Sequence, residues 1–427
     1  MSDECRRPAA TSRMRAPRGV PGSYCHAVDD RPTVAVQDAV MRVQSALLFL
    51  IGTLLTAGGY GATFLLSMRF HEMGGSDLDT GAALAAATVG TFAGLAVVGW
   101  CARLLGAARL AALCALCIGA GVAGFALVGR APYTDLPSGF LVGFGWGAFH
   151  LAAPMMLVER IAGAARTEWF FRSATFQMTG VGAAPAFAAY AMRALHWSID
   201  DTLYAVGAMC VIGALLLEAF GRLHPRPPAA VCGGRWVREL RAISRARAAA
   251  PIAMIALGTC VFAGLMTFQM SLMPDPHARA GTFFSVYTMA VLTARSLLGR
   301  WARHANADTA TKSLLAMMLL GALAMFGASA HPSLQSLAAG LLGAGYGLAY
   351  PVIQAQALEG CAAEQQHGVL TWFVAAYFVG TFGFPSIGGW VMVHAGKGVL
   401  LMLISSCALA ALSLAILHDR PVSARPQ

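Results

Sequence analysis

Twelve long apolar stretches, a charged fraction of only 12% and an internal repeat predict an all-α membrane protein built from two six-helix repeats. A soluble domain carries about 25% charged residues, so this 427-residue chain, 57% hydrophobic, has roughly half the usual share. Its mean hydropathy of +0.63 is too high for a water-facing surface. Disordered chains, nucleic-acid-binding domains and secreted disulfide scaffolds are excluded at this step. The solvent for most of the protein is lipid.

The stretches run approximately over 44–68, 80–101, 110–129, 138–158, 169–192, 202–220, 251–273, 281–299, 313–329, 334–357, 369–392 and 398–417. Each is near the 20 or so residues that a helix needs to cross the hydrocarbon core. A net charge of +10 would suggest nucleic acid on a compact soluble domain. Threading the chain with its N-terminus inside instead places 25 of the 30 Lys and Arg on the cytoplasmic side and 5 outside. That asymmetry orients short-loop membrane proteins, so the basicity sets topology. The expected location is a bacterial inner membrane, with both termini cytoplasmic.

Residues 1–42, rich in Arg and Pro, are expected to be a disordered basic cytoplasmic leader, with no apolar run that would make them a secretory signal. A first six-helix bundle is expected over 43–220 and a second over 251–418, with 419–427 as a cytoplasmic tail. The segment 221–250 between the bundles holds seven arginines with Pro225, Pro227 and Pro228, as a basic linker would. Of the ten cysteines, none falls in an external segment, so disulfides are not expected. Cys114 and Cys117 form a CxxC spacing inside an apolar helix without a second ligand pair, so no metal site is expected.

The repeat is explicit in the residues. At an offset of 200, Gly99, Ala102 and Arg103 meet Gly299, Ala302 and Arg303. Gly143, Gly145 and Gly147 meet Gly343, Gly345 and Gly347, while Glu159, Gly180 and Pro185 meet Glu359, Gly380 and Pro385. Parallel repeats of six helices imply a transporter with its site at the repeat interface, near the bilayer midplane.

The loop after the second stretch, GWCARLLGAAR, is similar to the G-x-x-x-D-R-x-G-R-K signature of the major facilitator superfamily, with Gly99 and Gly106 at its glycine positions. Arg103 stands where that family has Asp. The fifth stretch, with Gly180, Ala184, Pro185, Ala188 and Ala189, is similar to the family's exporter-associated G-x-x-x-G-P-x-x-G-G. The eleventh repeats it as Gly380, Pro385, Gly388 and Gly389. RSLLGRWARH and the run from Tyr350 to Trp390 look most like bacterial arabinose-efflux and multidrug-type exporters. The resemblance implies the major facilitator fold and alternating access, with Gly99, Gly106, Pro185 and Pro385 at gating positions.

Ionisable residues at membrane depth are few. All twenty Asp and Glu fall in loops or within about a turn of a helix end, Glu218 being the deepest. His150 lies near the midplane, where a buried ionisable group is functional by default. It reads as a proton-coupling residue or as a neutral histidine bonded to a neighbouring helix, with Tyr350 at the repeat-related position. Arg172 and Arg295 lie about one turn inside the cytoplasmic ends of their helices. Either they snorkel to the interface, or they face the cavity and favour an anionic or polar neutral cargo. Tyr60, Trp146, Gln177, Gln269, Tyr287, Tyr346, Gln354, Trp372 and Tyr377 are candidate cavity linings. Arg103 with Glu159, and Arg303 with Glu359, share a spacing of 56 residues and are expected to form gating ion pairs.

The expected function is therefore a secondary transporter that exports a small organic metabolite (a siderophore, a sugar-like compound or a drug) in exchange for protons. Uptake of a small nutrient or organic acid is the alternative. No enzyme constellation, cofactor or nucleic-acid partner is expected, and the expected unit is a monomer in the lipid bilayer.

Overall fold

A computed structural model of the chain describes residues 43–127, 134–160, 165–223, 248–273, 276–298, 306–359 and 363–418. The expected leader (1–42), most of the linker (224–247), the tail (419–427) and Arg303 lie outside the described residues. From Met41 onward the chain forms one compact unit, and its described residues contain helices and short turns but no strand.

Helix α1 runs over Val43–Gly61 and continues through a 3-10 turn, Ala62–Leu65, into Leu66–Glu72. Then come α2 (Asp77–Leu105), α3 (Ala107–Phe125), α4 (Asp135–Val158), α5 (Ala165–Ala194) and α6 (Ile199–Leu223). The second set opens with α7 (Ala249–Thr267, then Gln269–Leu272) and α8 (Pro276–Thr293, ending in a π-helical turn, Ala294–Leu298). Next are α9 (Ala307–Ala324) and α10 (Pro332–Leu358). Helix α11 comprises Ala363–Phe378, a π-helical turn at Val379–Gly383 and the helix that follows to about residue 395. Gly396, at φ 83°, separates it from α12, residues 397–418.

Local chemistry sets several of these boundaries. Ser76 caps α2 and pairs reciprocally with Asp79, whose Oδ2 accepts from the Ser76 backbone at 2.7 Å. Ser198 and Asp201 repeat that arrangement before α6, at 3.0 and 3.1 Å, so orphan amides at both starts find acceptors. Between α2 and α3 the chain turns on Gly106, whose φ of 78° is a left-handed value that a side chain resists. The second glycine of the signature-like loop is thus the residue that makes the turn.

Among the described residues, nine helical segments are long and apolar enough to cross a membrane, the last of which (Gly368–His418) covers both the eleventh and the twelfth stretch. Two expected spans are missing from that count, α5 and α8. Both are helical and pack on each other between the two sets of helices, but they carry more polar residues, such as Glu168 and Arg172 in α5 and His277 and Arg279 in α8.

The packing repeats. In the first set α4 packs on α2 and α3, α6 on α1 and α3, and α5 on α1. In the second, α10 packs on α8 and α9, α12 on α9, and the α11–α12 run on α7. The glycine runs explain how close these contacts come. A Cβ at Gly143, Gly145 or Gly147 would lie 1.9, 2.6 or 2.8 Å from the carbonyl oxygens of Ala87, Cys114 and Thr91. So α4 turns successive glycines toward α2, α3 and α2. Gly343, Gly345 and Gly347 turn toward Tyr287 of α8, Leu314 of α9 and Val291 of α8. These runs lock helices within each set and do not lie between the sets. Two seams join the sets, α5 against α8 and α2 against α11, and one maps onto the other when the sets are exchanged.

Candidate functional site

The two seams enclose a column of aromatic and polar side chains, conveniently followed from the face where α1 ends and α2 begins (the 72–77 face) to the opposite one. At the 72–77 face, the buried carboxylate of Asp77 accepts at Oδ1 from Ser67 Oγ of α1 (2.6 Å) and from Ser271 Oγ of α7 (2.9 Å). The two hydroxyls are 2.9 Å apart, and His71 Nε2 lies 4.0 Å from Asp77 Oδ2. This cluster ties the first set to the second. Beside it, Ser386 Oγ donates to the Gly81 carbonyl at 3.0 Å.

The next layers are rings. Phe64 meets Phe262 edge-on at 5.7 Å. Tyr60 of α1 stacks on Trp146 of α4 (4.9 Å, 14°), and Phe262 of α7 stacks on Tyr346 of α10 (4.1 Å, 2°), the same device in each set. Phe382 of α11 closes on Tyr60 at 5.4 Å. All of these rings are at most 1% exposed, as is Tyr287. Gln269 is fully buried with neither amide atom hydrogen-bonded, and the Tyr287 hydroxyl also has no partner.

One turn beyond Trp146 stands His150. Gln177 Nε2 of α5 lies 3.1 Å from its Nδ1; with the amide donating, the neutral ring carries its proton on Nε2. Across the centre, the ring stacks on Tyr377 (5.1 Å) and meets Phe378 (5.2 Å) and Tyr350 (6.2 Å) of the second set. His150, Tyr350, Gln177, Gln354 and Trp372 are all half-buried. Exposure therefore rises from the 72–77 face toward the opposite one.

The two arginines read alike in the sequence, yet the structure separates them. Arg172 is half exposed, paired with Glu168 one turn earlier and lying over Trp169. Arg295 is 3% exposed, in the π-helical turn of α8, and enters the α5–α8 seam. Its Nη1 donates to Thr175 Oγ1 at 3.3 Å, and its Cζ lies 5.6 Å over the Phe171 ring.

The gating residues are spread over several helix ends. Arg103 is exposed in the last turn of α2, and Glu359 is exposed at the end of α10. The Glu159 carboxylate pairs with the adjacent Arg160 at 3.0 Å, both side chains largely buried. Gly99 is half-buried in α2, while Pro185 and Pro385 are buried at the two seams. Sequence reasoning missed the Asp77–Ser67–Ser271 cluster. Its only local signal was an acid in the first turn of α2, which also reads as an ordinary charge at a helix start.

Among the described residues, two sets of helices with the same packing pattern surround a polar and aromatic column, as in a membrane transporter. The profile of the Major Facilitator Superfamily matches residues 48–385, and the chain belongs to that superfamily. Solved structures with a similar fold include an auto-inhibited POT family peptide transporter (14% identity, TM-score 0.66, covering 90% of this chain and 99% of that one). The nucleoside transporter NupG is similar at 14% identity and TM-score 0.69, over 88% and 100%. The POT family transporter PepTSo follows at 11% and 0.68, over 88% and 96%. No curated protein matches the chain in sequence. The protein is thus a multi-pass membrane protein and a secondary transporter of a small-molecule substrate.

Proposed function

We propose that this transporter exports a small organic metabolite (a siderophore, a sugar-like compound or a drug) in exchange for protons, with His150 as the proton-carrying residue. The observation that carries this reading is the position of His150. It is hydrogen-bonded within the first set at Gln177 and stacked on Tyr377 of the second. Charging its ring alters contacts with both sets at once, which is what coupling a proton to their relative movement needs. The rise in exposure below the sealed rings supports a cavity closed at the 72–77 face and open opposite. By the distribution of Lys and Arg, the 72–77 face is periplasmic, and the conformation faces the cytoplasm. The small residues around Pro185 and Pro385 support the export direction.

The test uses everted and right-side-out vesicles with radiolabelled siderophores, sugars and drugs under an imposed pH gradient. Everted vesicles are expected to accumulate substrate only when the gradient is present. His150→Gln is expected to abolish pH-driven accumulation while sparing counterflow at equal pH. Accumulation in right-side-out vesicles would assign uptake instead, and an unchanged pH dependence in His150→Gln would remove the histidine from the coupling.

A further inference from the structure

We propose that Arg295 is the anchoring site for an oxyanion, a carboxylate or phosphate carried by the cargo, so that the transporter selects organic anions. The inference rests on the transport reading but not on its direction or its coupling ion.

Three observations carry it. First, Arg295 is 3% exposed, and among the described residues no carboxylate pairs with it. A buried guanidinium without a counter-charge is costly, more so at membrane depth, and is retained where a ligand completes it. Second, the vacant donors are specific ones. Nη1 is engaged by Thr175, while Nε and Nη2 are buried without a partner. These two nitrogens form one edge of the planar group, with parallel N–H bonds, the geometry that takes two oxygens of a carboxylate or phosphate side-on. Third, the backbone is shaped to put it there. The π-helical turn at Ala294–Leu298 adds a residue to the helical turn, so that Ala294 and Arg295 are buried while Ser296 and Leu297 are exposed. Such turns are frequent at functional sites.

A purely structural role as a staple between α5 and α8 accounts for Nη1 and for the Phe171 contact, but not for the vacant Nε and Nη2. The Thr175 contact is a single bond of 3.3 Å to a neutral hydroxyl, and it leaves the stronger edge unused. Tyr287, two turns earlier on α8, adds a hydroxyl that is likewise buried and unpartnered in the same helix. Its hydroxyl supplies a neutral donor that a second polar group of the cargo could use. The α5–α8 seam parts when the helix sets tilt, so the site is loaded and emptied by the movement that defines the transporter.

The experiment is a thermal-shift and isothermal-titration screen of the purified full chain in detergent. The probes are aliphatic and aromatic carboxylates, phosphate monoesters, and neutral amides of the same carbon skeletons. Saturable stabilisation by acids and none by the matched amides is expected, with the carboxylate and phosphate arms telling which oxyanion is preferred. Arg295→Gln and Arg295→Lys are both expected to weaken binding by about tenfold or more, since lysine keeps the charge but lacks the paired edge. Equal binding of acid and amide, no binding by any acid, or unchanged affinity in Arg295→Gln would overturn the proposal. Should Arg295→Gln not fold, the acid-to-amide comparison on the unaltered chain decides alone. A chain that binds acids but shows no pH-driven flux would remove proton exchange and leave this site standing.

Discussion

Replacing Gly389 by alanine is expected to hold the transporter open at its 72–77 face without unfolding it. Gly389 lies in α11 against the start of α2, where an added Cβ would sit 2.2 Å from the Asp77 carbonyl oxygen and 3.0 Å from its carbon. A relaxed carbon–oxygen contact is about 3.3 Å, so the helices must separate by about 1 Å. Both obstructing atoms are backbone, and no flexible side chain can swing aside. Overpacking of this kind costs about 1–3 kcal/mol. Because the clash exists only while the seam is shut, that cost becomes a shift of about 5- to 150-fold toward the open arrangement. Hydrogen–deuterium exchange should report it as faster exchange across residues 66–81 and 266–273, which flank the seam. The control is Gly143→Ala, whose Cβ would meet the Ala87 carbonyl oxygen at 1.9 Å inside one set of helices. That contact persists in every arrangement, so thermal stability should fall and exchange at the seam should stay as it was. Unchanged exchange around Asp77 in Gly389→Ala would refute the reasoning, as would a Gly143→Ala chain as stable as the parent.

Two further outcomes follow from the packing. Gly106→Ala should lower stability by about 1–3 kcal/mol, read as a fall in Tm; nothing lies within 4 Å of the new Cβ, so the cost is that of the backbone at φ 78° and ψ 155° alone. Asparagine there should cost as much, because at ψ 155° the residue lies outside the left-handed helical well that asparagine tolerates. Arg69 and Asp200 pair at 2.9 Å with side chains only 9% and 17% exposed. Asp200→Asn, which removes the charge facing Arg69, should therefore lower Tm by the equivalent of about 3 kcal/mol, and replacing both by apolar residues of similar volume should recover most of it.

The fold was legible because its signals are periodic or repeated. Apolar stretches of membrane length mark the helices, and the recurrence of Gly143, Gly145 and Gly147 as Gly343, Gly345 and Gly347 marks equivalent contacts in the two sets. His150 stood out for a similar reason, as an ionisable group amid apolar neighbours. What was not legible depends on pairs far apart in the chain. Asp77 meets Ser271 across 194 residues, and no spacing rule links an acid in one helix start to a hydroxyl at another helix end. Arg172 and Arg295 occupy equivalent depths in the sequence. They diverge because α8 ends in a π-helical turn that carries Arg295 into the seam, whereas Arg172 finds Glu168 one turn away on its own helix. That turn carries no local sequence mark.

The contrast between contacts within a set and contacts across the seams explains how the protein can move without losing its fold. Within each set, glycines bring backbones together at many points, and large rings such as Trp146 and Tyr346 are sealed in place. Across the α2–α11 seam the backbones approach closely at Gly389, but the hydrogen bonds found among the described residues are few: Ser386 Oγ to the Gly81 carbonyl, with Asp77 bridging Ser67 and Ser271 nearby. Each is a group that water can satisfy once the face opens, and a hydrogen bond exchanged for one to water is worth only about 1 kcal/mol net. Helices in lipid also lack the hydrophobic drive that would glue the sets shut. These hydrogen bonds therefore add only about 1 kcal/mol each to the closed face, a scale that binding of a single ligand can offset. The glycine contacts inside each set stay shut throughout, which is why a clash at Gly389 and a clash at Gly143 should have such different consequences.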